Sequence, residues 1–117
     1  MAKILVVDDN RSFVKMIVDT LVYEDHEVII AYSGTDAVRI ARAQSPDIVL
    51  CDLNIPELDG YGVLEAIRSS RTTANVTFYF LTGEQNADPQ SADGVIEKPF
   101  QVEHLLDRIS NRLSRSA

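Results

Sequence analysis

The chain has 117 residues, 45% of them apolar and 25% charged, which suits one globular domain able to bury roughly two-thirds of its unfolded surface without disulfide staples. Its 11 basic and 18 acidic residues leave a net charge of −7, which argues against unaided nucleic-acid binding through clustered Lys and Arg. No apolar run approaches the roughly 18 residues of a membrane span, and Met1-Ala2-Lys3 leads into Ile4-Leu5-Val6-Val7 without a secretory-signal layout, so the expected location is cytoplasmic.

Taken in order, Ile4–Val7, Val28–Ala31, Ile48–Cys51 and Val76–Leu81 are short apolar runs rich in β-branched or aromatic residues. Parallel strands covered on both faces have this composition. Helical periodicity fills the gaps, with Phe13, Ile17 and Leu21 in the first, Ala37, Val38 and Ala41 in the second, and Val63, Leu64 and Ile67 in the third. Asn10, Ser33 and Asp59 stand where helix N-caps belong, and Pro46-Asp47 stops the second helix. Gly94 turns the chain into a last strand, Val95-Ile96-Glu97, and Val102, Leu105, Leu106, Ile109 and Leu113 mark a final amphipathic helix. That helix is a packing element first, with homodimer contact a distant second. A single domain over 1–117 follows, with 114–117 as a loose C-terminal end. Cys51, the lone cysteine, reads as a small buried hydrophobe.

One element is missing from the alternation. Gly83 to Gly94 spans 12 residues, and Glu84 to Asp93 offers only two alanines to bury, so the fourth crossover helix is expected to be absent or reduced to about one turn. An acidic loop is expected in its place, leaving the sheet near Phe78, Phe80 and Val95 less covered.

Five strands alternating with helices imply right-handed crossovers and an open, doubly wound sheet, whose ligands sit beyond the carboxyl ends of the strands. Asp8 and Asp9 leave the first strand, Asp52 the third, Thr82 the fourth and Lys98 the fifth, so all five polar groups gather on one rim. Converging carboxylates repel one another, which raises their pKa values or recruits a cation. Mg²⁺ is the natural partner of such oxygens, and beside it an aspartate can attack phosphorus to form an acyl phosphate. Lys98 can neutralise charge from the other side, and Thr82 can donate to phosphoryl oxygens.

Val7-Asp8-Asp9-Asn10, Asp52-Leu53-Asn54-Ile55-Pro56 with Asp59-Gly60, Leu81-Thr82-Gly83 and Glu97-Lys98-Pro99-Phe100 are each weak signals alone. In this order and spacing they resemble, across the whole chain, the receiver domain of two-component response regulators. That resemblance implies a flavodoxin-like (βα)5 fold with a five-stranded sheet of order 2-1-3-4-5, here with its fourth helix shortened or absent. It implies that Asp52 accepts a phosphoryl group from a sensor histidine kinase or phosphotransfer protein, or from a small donor such as acetyl phosphate. Asp9 and Asp52 would ligate Mg²⁺ directly, Asp8 largely through water, and Asn54 through its backbone carbonyl. Lys98, before a proline peptide that is usually cis in this family, would pair with a phosphoryl oxygen. Asn54 and Glu84 match positions that tune how fast the phosphoryl group is lost. The first helix, Arg11 to Glu24, matches the kinase-docking surface, and a downstream protein or output domain would read the switched state.

The chain departs from the family at one switch position. The aromatic residue expected three places before the lysine is Val95, and a valine, with one stiff side-chain torsion, does not swing as a tyrosine does. Output is expected instead from the Glu84 to Asp93 loop ordering over the site.

Each residue also has a plainer reading. Asp52 alone would be a turn residue, Thr82 a common strand end and Lys98 a solvated charge, while His26 and His104 read as surface residues. A haloacid-dehalogenase-type phosphatase needs a second acid two residues after its nucleophile, where this chain has Asn54, and a flavodoxin-type site needs a phosphate-cradling loop where Asp8-Asp9 stand. The serious rival is a non-catalytic receiver-like interaction module.

Overall fold

Strands that are apolar on both faces need helices on both faces, and the alternating pattern supplies them. The computed structural model describes residues 2–116, with side chains to residue 113. Strands β1 (Lys3–Val7), β2 (Glu27–Ala31), β3 (Ile48–Cys51), β4 (Thr77–Thr82) and β5 (Gly94–Glu97) form one parallel sheet of order β2-β1-β3-β4-β5. Helices α1 (Arg11–Tyr23), α2 (Gly34–Gln44) and α3 (Gly60–Ser69) make the first three crossovers, and α4 (Val102–Ser116) follows β5. The fold class expected from the sequence is the one observed. The end expected to be loose at 114–117 includes Ala117 and the side chains of 114–116, which lie outside the described residues.

The period of two along each strand divides the core into two layers. Leu5, Val7, Val49, Cys51, Phe78 and Phe80 pack with Ala37 and Ala41 of α2 and Val63, Leu64 and Ile67 of α3. Ile4, Val6, Ile48, Leu50, Tyr79 and Leu81 pack on the other face with Val14, Ile17 and Leu21 of α1 and Leu105 and Ile109 of α4. Three helices begin at side-chain caps: Asn10 accepts from the Phe13 N–H, Ser33 from Asp36 and Asp59 from Gly62. Helix α2 ends with Ser45 in the left-handed region, directly before Pro46.

The β4–β5 crossover has no helix, as expected. Pro89 and the left-handed residues Asn86 and Gln90 interrupt any helical run. The sheet beneath is nevertheless covered, which corrects the expectation of a barer face. Phe78 and Phe80 are fully buried, Tyr61 of α3 meets Phe80 edge-on at 5.2 Å, and Ala87 and Ala92 pack on the same cluster. Two alanines are enough because β-strand aromatics and α3 already fill most of the layer.

Asp93 ties this crossover down. Its N–H donates to the Phe78 carbonyl at 2.8 Å and its carboxylate accepts from the Phe78 N–H at 2.8 Å. The same carboxylate meets Arg68 of α3 at 3.3 Å and Arg112 of α4 at 2.9 Å. Arg68 also donates to the Ala74, Val76 and Ser91 carbonyls, so one guanidinium joins the end of α3, the entry to β4 and the crossover.

Candidate functional site

The site is set by the last rung of each strand. The Asp8 N–H donates to the Ala31 carbonyl at 3.2 Å, Asp52 to Val7 at 3.0 Å and Lys98 to Thr82 at 2.7 Å. The backbone ladder thus runs one residue past the ends of β1, β3 and β5, and fixes where Asp8, Asp52 and Lys98 begin. Gly60 brings α3 against the same place: its N–H donates to the Leu53 carbonyl at 2.8 Å, and a Cβ there would collide with the Asp52 carbonyl and Leu53 Cα. Gly60→Ala is therefore expected to cost about 1–3 kcal/mol through overpacking, read as a lower urea midpoint with an unchanged slope.

Asp8, Asp52 and Lys98 come together. Lys98 Nζ lies 2.9 Å from Asp8 Oδ2 and 3.4 Å from Asp52 Oδ2, and Asp8 is 2% exposed, its other oxygen accepting from the Asn10 N–H at 3.0 Å. Asp9 stands on the same rim but is exposed to solvent. Among the described residues no three carboxylate, histidine or cysteine side chains stand close enough to hold a metal ion. The positive charge between Asp8 and Asp52 is that of Lys98.

Burial holds the Asp52 carboxyl above its ordinary range; Lys98 opposes this, Asp8 reinforces it, and the backbone N–H groups of Asn54 and Leu53 pull it back. Thr82 is fully buried, and its hydroxyl accepts from the Glu84 N–H at 3.1 Å. The Asn54 amide reaches the Glu84 carboxylate at 3.4 Å, so the loops after β3 and β4 touch above the rim. The Lys98-Pro99 peptide is cis. Val95 pairs with Phe80 across the sheet and packs, partly buried, on the layer beneath α2 and α3. Cys51 is buried, which pushes its thiol pKa well up and leaves it without nucleophilic chemistry.

One neighbour escaped the sequence pattern. Phe13, which reads as part of the apolar stripe of α1, faces the rim, with Lys98 Nζ 4.0 Å from its ring centroid. Its place three residues after the cap Asn10, at the end of the helix nearest the strand exits, is the signal that could have found it.

Comparisons with known proteins show the family and the fold. Residues 4–110 match the response regulator receiver domain family. The chain is 34% identical to the chemotaxis protein CheY of Bacillus subtilis, over 96% of this chain and 98% of that one. It is 31% identical to the response regulator ArlR of Staphylococcus saprophyticus, with 98% of this chain covered. It spans about half the length of ArlR, which it covers to 54%. Among solved structures, CheY4 of Vibrio cholerae superposes with a TM-score of 0.87 at 30% identity, covering 95% of this chain and 98% of that one. The receiver domain of the sensor histidine kinase PA1611 of Pseudomonas aeruginosa, with a magnesium ion in its active-site cleft, superposes with a TM-score of 0.86 at 29% identity and covers 95% of each chain.

Proposed function

Because the chain belongs to the response regulator receiver domain family, we propose that Asp52 is its phosphoacceptor and that the domain is a phosphorylation-driven signalling switch rather than a turnover enzyme. The observation that carries this reading is the meeting of Asp52, Asp8 and Lys98 on one rim, with Thr82 at the next strand end. An Asp52 carboxylate oxygen attacks phosphorus, the P–N bond of a phosphohistidine breaks, and an acyl phosphate remains on Asp52. Lys98 exchanges a carboxylate oxygen for a phosphoryl oxygen, and Thr82 turns its hydroxyl from the Glu84 N–H to donate to another.

The chemistry of the donors suits Mg²⁺: the carboxylates of Asp8, Asp9 and Asp52 and the Asn54 backbone carbonyl are hard oxygens that would hold it once drawn together, since among the described residues no three side chains stand that close here. When bound, the ion neutralises the charge of the incoming phosphoryl group. Lys98, which now spans Asp8 and Asp52, must release at least one of them to make room. Asn54 and Glu84, already in contact, are placed to set how readily water reaches the acyl phosphate. A sensor histidine kinase or phosphotransfer protein would dock on α1, where Phe13 and Met16 line a hollow beside Lys98, Pro99 and Phe100. The reading places the domain in the cytoplasm, acting on a downstream protein or on an output domain such as the unmatched half of ArlR-like relatives.

Intact mass after incubation with acetyl phosphate and Mg²⁺ tests the proposal. One added phosphoryl group, lost when the metal is chelated beforehand, is expected. No gain from acetyl phosphate or from a cognate kinase would favour a non-catalytic interaction module.

A further inference from the structure

Lys98 must hold its ammonium at the rim through two different states, against carboxylates before phosphoryl transfer and against a phosphoryl oxygen afterwards. A lysine side chain is long and flexible, and it sacrifices rotamer freedom when fixed. Of its two carboxylate partners only Asp8 keeps its chemical identity, because Asp52 becomes an acyl phosphate during the reaction. The structure supplies a third contact that does not change. Lys98 Nζ lies 4.0 Å from the centroid of the Phe13 ring, over the ring face, while it stands 2.9 Å from Asp8 Oδ2 and 3.4 Å from Asp52 Oδ2. An aromatic face attracts a cation through its quadrupole without claiming a directed hydrogen bond. It therefore steadies the ammonium yet leaves its protons available to either partner.

The ring is itself fixed. Its backbone N–H is the one capped by Asn10 Oδ1, at 3.1 Å, and its edge meets Phe100 at 6.1 Å with the planes 89° apart. Phe100 lies two residues after Lys98, so the loop that carries the lysine also orients the ring beneath it.

We propose that Phe13 is a positioning residue for phosphoryl transfer, holding the Lys98 ammonium at the rim through a cation–ring contact that persists as the lysine passes from carboxylate to phosphoryl oxygen. The inference rests on Asp52 being the phosphoacceptor. It is distinct from any role of α1 in docking a kinase, because it predicts an effect with a donor that docks nowhere.

The test is the initial rate of phosphoryl gain from acetyl phosphate with Mg²⁺, followed by intact mass. The acetyl–phosphate P–O bond breaks, acetate leaves, and the new bond joins phosphorus to an Asp52 oxygen. Phe13→Leu is expected to slow the rate by about 3- to 30-fold, the span of cation–ring contacts from exposed to desolvated. To separate electrostatics from packing, a ring-fluorinated phenylalanine at position 13 keeps the shape while drawing electron density from the face. It is expected to slow the rate in proportion to fluorination, with the protein still fully folded at the assay temperature. Fluorinated protein reacting at the wild-type rate would overturn the inference, even if Phe13→Leu were slow. Failure of the wild type to gain a phosphoryl group would instead overturn the phosphoacceptor assignment, and this inference with it.

Discussion

Asp52→Asn is expected to abolish phosphoryl gain and, in the metal-free protein at neutral pH, to raise the thermal midpoint. The first half follows from the loss of the nucleophile. The second follows from the state of the carboxyl group. Burial, with help from Asp8, holds the Asp52 pKa above its ordinary value of 3.8 despite the pull of Lys98. A carboxyl whose pKa is raised on folding binds more protons in the folded than in the unfolded state across the window just above 3.8. Stability therefore falls as pH rises through that window, and the cost of the charge persists at neutral pH. An amide at position 52 has no such cost, and Lys98 keeps Asp8 as its partner. The variant's advantage is expected to be largest near pH 7 and to shrink as pH falls toward 4. Calorimetric scans in chelator across that range would reject this account if the two proteins melted together at pH 7, or if the advantage grew on acidification.

Asp93→Ala is expected to cause a large loss of stability for a change outside the apolar core. The carboxylate is 20% exposed and serves Arg68, Arg112 and the Phe78 N–H together. Truncation takes the side-chain acceptor from the buried Phe78 amide and removes the one carboxylate that Arg68 and Arg112 share. Removing one member of a fully buried ion pair costs about 3–5 kcal/mol. Allowing for partial solvent access, about 2–3 kcal/mol is expected here. Asp93→Asn, which keeps an acceptor oxygen but not the charge, should recover part of it. Urea unfolding resolves the difference, and an Asp93→Ala midpoint within error of wild type would show that the crossover is held by something else.

Those two side chains also mark how far the sequence could be read. Alternating apolar runs, caps at Asn10, Ser33 and Asp59, and the bare composition of Glu84 to Asp93 were sufficient for the strand count, the sheet class and the missing crossover helix, because each is a local property of the chain. Asp8, Asp52, Thr82 and Lys98 could be assigned to one rim because parallel strands all end on the same side. What lay beyond reach was pairing between distant side chains. Asp93 looked like one acid in an acidic loop, and nothing near it in sequence announces Arg68 or Arg112. Phe13 looked like helix core, since a ring that packs and a ring that carries a cation have the same periodicity. The cover over Phe78 and Phe80 was underestimated for the same reason: Tyr61 comes from a helix more than a dozen residues away in sequence.

The sheet order leaves β5 with one unpaired edge. An open edge is a template on which another chain can lay a strand, and in a crowded cell that is the usual start of aggregation. Here the exposed ribbon runs for only four residues, Gly94 to Glu97. A clamped aspartate precedes it, and a carboxylate and then a proline, which has no N–H to offer, close it. An incoming strand would find too few free groups to register against. The domain thus carries a built-in guard against self-templating at the β5 edge.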